Sequence, residues 1–336
     1  MIRITEGLRR LAAFASLGVL LNIPAGAARA ALPEPRAPSH CPRLCMQELI
    51  DHYVEALVRH DPAGLPLAHE VRFTENAQEI AIGEGLWRTA SEAPRTFKIY
   101  GTDPMTGQAG LIALMREQAA PVLFTLRLKL VNGRIIEVEH LVSRNLAPAV
   151  LPNLVTPRQA LLTQVPPAER TPREAMVNAV DNYFDGVSQG EGSIVPFASD
   201  CERHENGRQT TLVKSPATKP SESSSSEEIF AWLMTYPCRT QLDTGAFAYI
   251  FKIWPRRITL IDEERGLVWA FPSFNEGGGS GRVALKGVPG VTSVAVKPVA
   301  TTHLGVEVFK IRSGQIHEIE GAGSIVLPYG AKNGWY

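Results

Sequence analysis

The chain of 336 residues has no apolar run long enough to cross a bilayer, no basic cluster and no excess charge of one sign, its 34 basic side chains matching 34 acidic ones. Without the ~20 apolar residues a spanning helix needs, a retained membrane anchor is not expected. Without a basic stripe, neither is a partner held by its phosphate backbone. No serine sits in G-x-S-x-G, so a nucleophile elbow is missing. Gly277–Gly281 lacks the lysine and the strand–helix setting of a phosphate loop and reads as a flexible insert. The eight histidines are scattered: His52 and His60 fall outside the apolar stripe of their helix, and His204-Glu205 has no second histidine in zinc-helix spacing. Neither a metal nor a cofactor is expected. At 44% hydrophobic and 20% charged the chain is nonetheless too apolar to be disordered.

Its amino terminus carries an export pattern. Arg9 and Arg10 precede Leu11–Leu21, an apolar run broken only by Ser16 and Gly18, and Ala28-Arg29-Ala30 fits an A-x-A cleavage site. That order of charge, short apolar stretch and small residues describes a secretory signal peptide over residues 1–30, hence a periplasmic or secreted protein. Its removal leaves 30 basic and 33 acidic residues. Outside the cytoplasm disulfides persist, and Cys41, Cys45, Cys201 and Cys238 allow three pairings. The C-x-x-C spacing of a zinc site is missing, so structural disulfides are the expectation.

The chain also contains an internal repeat. Shifted by 130, residues 42–76 match 172–206 without a gap, with identities at Pro42/Pro172, Arg43/Arg173, Met46/Met176, Asp51/Asp181, Tyr53/Tyr183, Pro66/Pro196, Ala68/Ala198, Glu75/Glu205 and Asn76/Asn206. Chance would give roughly two identities from average residue usage. Asp103-x-x-x-Gly107 parallels Asp262-x-x-x-Gly266 at an offset of 159, and 129–139 parallels 310–320 at 181. Offsets that only grow describe one plan used twice, with insertions in the second copy. Two copies are too few for a solenoid, so two globular domains are expected, 31–146 and 171–336, joined by a proline-rich linker over 147–170.

Each copy opens with an amphipathic helix. Leu49, Ile50, Tyr53, Val54, Leu57 and Val58 form one apolar face, ended by Pro62. In the second copy Val180, Tyr183, Phe184 and Val187 do the same, and Thr171-Pro172-Arg173-Glu174 reads as a capping box. Short strands follow: 71–76, 122–131 and 135–142 around Asn132-Gly133 in the first copy, and 258–261, 267–271, 306–312 and 316–319 in the second. Helix first, then antiparallel strands, is an α+β layout with helices on one face of a curved sheet. Lys214–Glu228 reads as a low-complexity surface loop.

Tyr53…Asp61…Glu75-Asn76 resembles the start of nuclear-transport-factor-2-like domains, the cone-shaped fold of ketosteroid isomerase and SnoaL-type polyketide cyclases. Asn132-Gly133-Arg134-Ile135-x-Glu137-x-Glu139 resembles the final hairpin of that fold. Phe73-Thr74-Glu75-Asn76, Arg256-Arg257-x-x-x-x-Asp262-x-x-x-Gly266 and Leu327-Pro328-Tyr329-Gly330-x-x-x-Gly334-Trp335 resemble an uncharacterised family of secreted bacterial and fungal proteins of this fold. The resemblance covers nearly all of 41–336. It implies two tandem cone-shaped sheets with helices on one face, the α+β roll also called cystatin-like. It also implies that Tyr53 and Tyr183 match an oxyanion-donating tyrosine, while Asn76 and Asn206 stand at or beside the place of the catalytic aspartate. An amide cannot take a proton, so the isomerase mechanism does not transfer.

The candidate site residues are therefore Tyr53, Glu75 and Asn76 in the first copy and Tyr183, Glu205 and Asn206 in the second. Trp87 serves as an aromatic wall and Arg127 as an anion clamp. Alternation sends Glu75 and Asn76 to opposite faces, so only one of them lines the cone. Glu137 and Glu139, with Glu318 and Glu320, read as a solvated sheet face, and Asp103 and Asp262 as turn residues. The expected role is binding of a small apolar molecule, or an interaction module in which the copies pack as an internal pseudo-dimer, with further oligomerisation open. The alternative is a cofactor-free isomerase, dehydratase or lyase using pocket tyrosine and glutamate.

Overall fold

A computed structural model describes residues 41–214 and 218–335. The export signal expected over 1–30 lies outside them, and no helix among the described residues is long and apolar enough to cross a membrane. Two sheets carry the fold. The first half contains α1 (Arg43–Arg59), β1 (Leu67–Glu75), β2 (Gln78–Glu79), β3 (Ala90–Glu92), β4 (Lys98–Asp103), β5 (Gln108–Glu117), β6 (Ala120–Val131) and β7 (Arg134–Ser143). A short α2 (Gln159–Leu162) lies in the proline-rich stretch between the halves. The second half opens with α3 (Arg173–Gln189), β8 (Phe197–Glu205) and β9 (Arg208–Gln209), then α4 (Ser226–Leu233) and α5 (Cys238–Asp243). It closes with β10 (Ile250–Asp262), β11 (Leu267–Glu276), β12 (Arg282–Ala284), β13 (Ser293–Ala295), β14 (Thr301–Arg312) and β15 (Gln315–Pro328).

The first sheet runs β2-β1-β7-β6-β5-β3 with β4 also on β5; the second runs β10-β11-β14-β15-β8-β9. The pairing is not wholly antiparallel. β1 lies parallel to β7 and β8 parallel to β15, so in each half the last strand closes the sheet beside the first. Register shifts within β10–β11 and β14–β15 bend the long strands, as bulges do, and curl the sheet around α3.

Each helix fills the concave side of its own sheet. α1 buries Met46, Ile50, Tyr53, Val54 and Leu57 against Phe73, Leu111, Phe124 and Leu128. α3 buries Met176, Val180, Tyr183, Phe184 and Val187 against Val268, Phe309 and Ile319. The other faces of the two sheets meet in a third core, where Ile99, Ile112 and Leu123 pack with Leu260, Trp269 and Val308. Trp269 fits because Gly110 leaves room: a Cβ there would stand 3.0 Å from the indole.

Two local expectations change. Pro172 itself is the N-cap of α3 and makes no side-chain capping bond, while Thr171 Oγ1 accepts from the Gly314 amide instead. A capping box does form at α4: Ser225 accepts from the Glu228 amide, and the Glu228 carboxylate accepts from the Ser225 amide, so the expected serine-rich loop ends in a helix. The expected structural disulfides are present, and of the three pairings the chain adopts Cys41–Cys45 at the start of α1 and Cys201–Cys238 tying β8 to α5.

Of the carboxylates assigned to a solvated sheet face, Glu139 and Glu320 are buried, while Glu137 and Glu318 are partly covered. Glu139 is 4% exposed, gripped by both nitrogens of Arg257 at 2.8 and 2.7 Å and by Arg127 Nε at 2.7 Å. Trp335 lies over the guanidinium groups of Arg127 and Arg257 at 4.5 and 5.3 Å. Glu320 is 3% exposed and accepts from Arg158 at 3.0 Å, and Glu318 also pairs with Arg158. The alternation argument fails because both faces of each sheet are covered, one by a helix and the other by neighbouring chain.

Candidate functional site

Tyr53 and Tyr183 stand at the same place on α1 and α3, each fully packed beneath its sheet, yet they meet different partners. In the first half the hydroxyl of Tyr53 lies 2.9 Å from His140 Nε2 and accepts from Trp87 Nε1 at 3.2 Å. His140 Nδ1 faces Glu75 at 3.7 Å, and with the imidazole proton on that nitrogen Nε2 accepts from the tyrosine. Glu75 also accepts from the Leu86 amide at 2.7 Å and from Arg144 at 3.2 Å. Burial lowers the proton affinity of His140. Burial pushes the Glu75 carboxyl up, and His140, the Leu86 amide and Arg144 together hold it below its ordinary range. Phe73, Phe124 and Trp87 close around the network, each at most 1% exposed. This is a filled interior.

Asn76 and Asn206 have the same turn geometry, with φ 48° at both. Each opens a two-residue hairpin and ties it to the last strand of its sheet. The Asn76 amide group donates to Val142 O at 3.3 Å and accepts from Val142 N at 2.8 Å. Asn206 makes the same pair with Gly323 at 3.3 and 3.0 Å. Their side chains hold the turn. The dipeptide Asn206-Gly207 signals that hairpin in the sequence.

In the second half two large side chains give way to glycine. By the offset of 181, Phe124 corresponds to Gly305 and His140 to Gly321; the strand registers agree, since Glu75 pairs with His140 and Glu205 with Gly321. Where Leu126 faces His140 across the first sheet, Glu307 faces Gly321 across the second. The polar group thus crosses from one strand to its neighbour, and the space left by two side chains remains open. A cavity of about 140 Å³ results, lined by Tyr183, Arg203, Glu205, Phe247, Tyr249 and Phe274 together with Glu307. A second, more open groove of about 520 Å³ shares Tyr249 as a wall and runs past Phe251, Tyr329 and Gly277–Gly279.

Glu307 is the distinctive group. Val306 and Val308 on either side of it pack between the sheets, so alternation aims Glu307 and Phe309 at α3. It is 5% exposed, the Tyr183 hydroxyl stands beside it, and its Oε2 has no partner among the described residues. Burial pushes its carboxyl up to about 7, against the pull of Arg203 and Tyr183. Burial likewise raises the Tyr183 and Tyr249 hydroxyls. Arg203 pairs with Glu205 and leans on the Phe247 ring at 5.3 Å, while its Nε has no partner among the described residues. Glu276 stands 3.9 Å from His303 at the cavity edge.

Of the sequence candidates, Tyr183, Glu205 and Asn206 come together at this cavity. Tyr53, Glu75 and Trp87 come together in the filled first half, with Asn76 at its hairpin. Arg127, 2% exposed, is held by Glu137 and Glu139 at 2.8 and 2.7 Å, away from either interior. Glu307 and Arg203 were not among the candidates; extending the 181 alignment to Leu126/Glu307 would have singled out a charged residue where the first half has leucine. No group of side chains able to hold a metal ion occurs among the described residues.

The molecule is thus an α+β protein of two curved sheets, each wrapped on one long helix, with a polar-floored cavity in the second half. Residues 169–322, which make up most of that half, match the family model described as "Domain of unknown function (DUF8021)". No curated protein matches the chain. Among solved structures, a nuclear-transport-factor-2-like protein of unknown function from Cytophaga hutchinsonii is 12% identical, with a TM-score of 0.24, over 29% of this chain and 89% of its own. The epoxide hydrolase/cyclase-like enzyme SalBIII of pyran ring formation in polyether salinomycin is 12% identical, with a TM-score of 0.28, over 46% of this chain and 97% of its own.

Proposed function

We propose that this is an exported protein in which one cone-forming unit was duplicated, the second unit binding a small, largely apolar molecule and the first serving as its closed structural counterpart. The units would be 31–146 and 171–336, with 147–170 as the linker. The matching asparagine turns and tyrosine positions support the duplication. The two disulfides suit an oxidising compartment. The observation that carries the binding reading is the cavity of about 140 Å³, walled by aromatic rings and floored by Glu307. A packed interior leaves few such voids without a purpose.

The second reading is cofactor-free proton transfer, an isomerisation, dehydration or lyase step. Glu307 favours it, because a carboxyl brought to about 7 can give or take a proton near neutral pH. Thermal-shift screening of the full chain against single-ring aromatic and terpenoid compounds tests the binding reading. Hits are expected to raise Tm and to weaken in Tyr183→Phe and Glu307→Gln. No hit in a broad panel would favour the interaction module and overturn a ligand site.

A further inference from the structure

Resting on that reading, we infer that the cavity of the second half takes an organic ammonium, a single ring bearing a protonated amine, with the nitrogen on Glu307 Oε2. Glu307 Oε2 is a buried acceptor with no donor, and such atoms rarely stay without one. Beside it the Tyr183 hydroxyl on α3 favours the ionised carboxylate. The neighbouring acids already have cationic or imidazole partners: Glu205 is paired with Arg203 on β8, and Glu276 on β11 faces His303 on β14. Tyr249, also facing the cavity, is held un-ionised by burial. Glu307 feels the pull of Arg203, but that guanidinium is paired with Glu205, so Glu307 is the acid left with no direct cationic partner.

Ligand chemistry follows from that balance. A carbonyl brings no donor to an ionised carboxylate, and a carboxylate or phenolate would add like charge. A hydroxyl supplies a donor without neutralising anything. An ammonium does both, and the rings of Tyr183, Tyr249 and Phe274 offer faces that attract a desolvated cation. Size sets the rest. A void of roughly 150 Å³ accepts one benzene ring, so about 140 Å³ fits one ring and a short polar arm.

Isothermal titration of the full chain with benzylamine, benzyl alcohol and benzaldehyde, at pH 5 to 8, tests this. Benzylamine is expected to bind at least tenfold more tightly than benzyl alcohol at pH 8. Its affinity should rise about tenfold per pH unit below about 7, where Glu307 takes its charge, and level off above. Glu307→Gln, checked for an unchanged near-ultraviolet spectrum, should abolish that preference. Equal or tighter binding of the alcohol or aldehyde would overturn the ammonium assignment and leave the ligand site standing. Failure of all three probes to bind would overturn both.

Discussion

Glu307 illustrates how a single buried side chain can oppose folding. Its carboxyl stands at about 7 in the folded chain against an ordinary 4.5. The native state therefore holds the proton more tightly than the unfolded one, and stability falls as pH rises from about 4.5 through 7. At roughly 1.4 kcal/mol per unit, the penalty above pH 7 is on the order of 3 kcal/mol. Glu307→Gln should consequently be more stable than the parent at pH 8 by up to that amount and no more stable at pH 4. Urea titrations at the two pH values check this; an equal effect at both would show that the carboxyl charge is not the cause. His140, its polar counterpart in the first half, is buried with lowered proton affinity, so its contribution is in place above pH 6.5 and is lost as the pH drops below. Tyr53 and Tyr183 were legible as equivalent residues. Their partners were not, because those sit on other strands about 90 to 120 residues away.

Among elements, the two long helices were the most readable, since a one-sided apolar stripe needs only local spacing. The strands were found but cut short: β10 extends over Ile250–Asp262 where alternation marked four residues. This edge strand shifts register three times along β11, and each shift breaks the period of two, which hides its ends. The insert between β9 and β10 supplies Phe247 and Tyr249 as cavity walls, and Cys201–Cys238 fastens it to β8. A disulfide across 37 residues stabilises by about 4 kcal/mol in the chain-entropy account. Replacing both cysteines with serine should lower the unfolding free energy by about 3–4 kcal/mol in urea and shrink any ligand-induced rise in Tm. An unchanged midpoint would show that the insert is held by its own core of Ile229, Leu233 and Val294.

At the scale of the whole molecule the halves are joined reciprocally. Arg43 at the start of α1 pairs with Asp262 of the second half, and Arg173 at the start of α3 pairs with Asp103 of the first. The Thr102 amide donates to Asp262 at 3.3 Å and the Ile261 amide to Asp103 at 3.2 Å. Asp103 and Asp262 do close turns, as their spacing from glycine indicated, through Thr106 Oγ1 at 2.8 Å and the Arg265 amide at 3.0 Å. Each is also the buried anchor for the other half. Arg43→Ala and Arg173→Ala should each cost about 3 kcal/mol, because each leaves a buried carboxylate unpaired. The charge-exchanged pair Arg43→Asp with Asp262→Arg should recover part of the loss. A cost below about 1 kcal/mol in denaturant titration would mark these as ordinary surface pairs. The repeat, the helices, the turn residues and the α+β class were set by local pattern and spacing, which depend on nearest neighbours along the chain. Which interior is filled and which is hollow, and where the buried carboxylate lies, depended on side chains meeting across strands and across the two sheets. Those encounters have no fixed distance in sequence, so packing decided them.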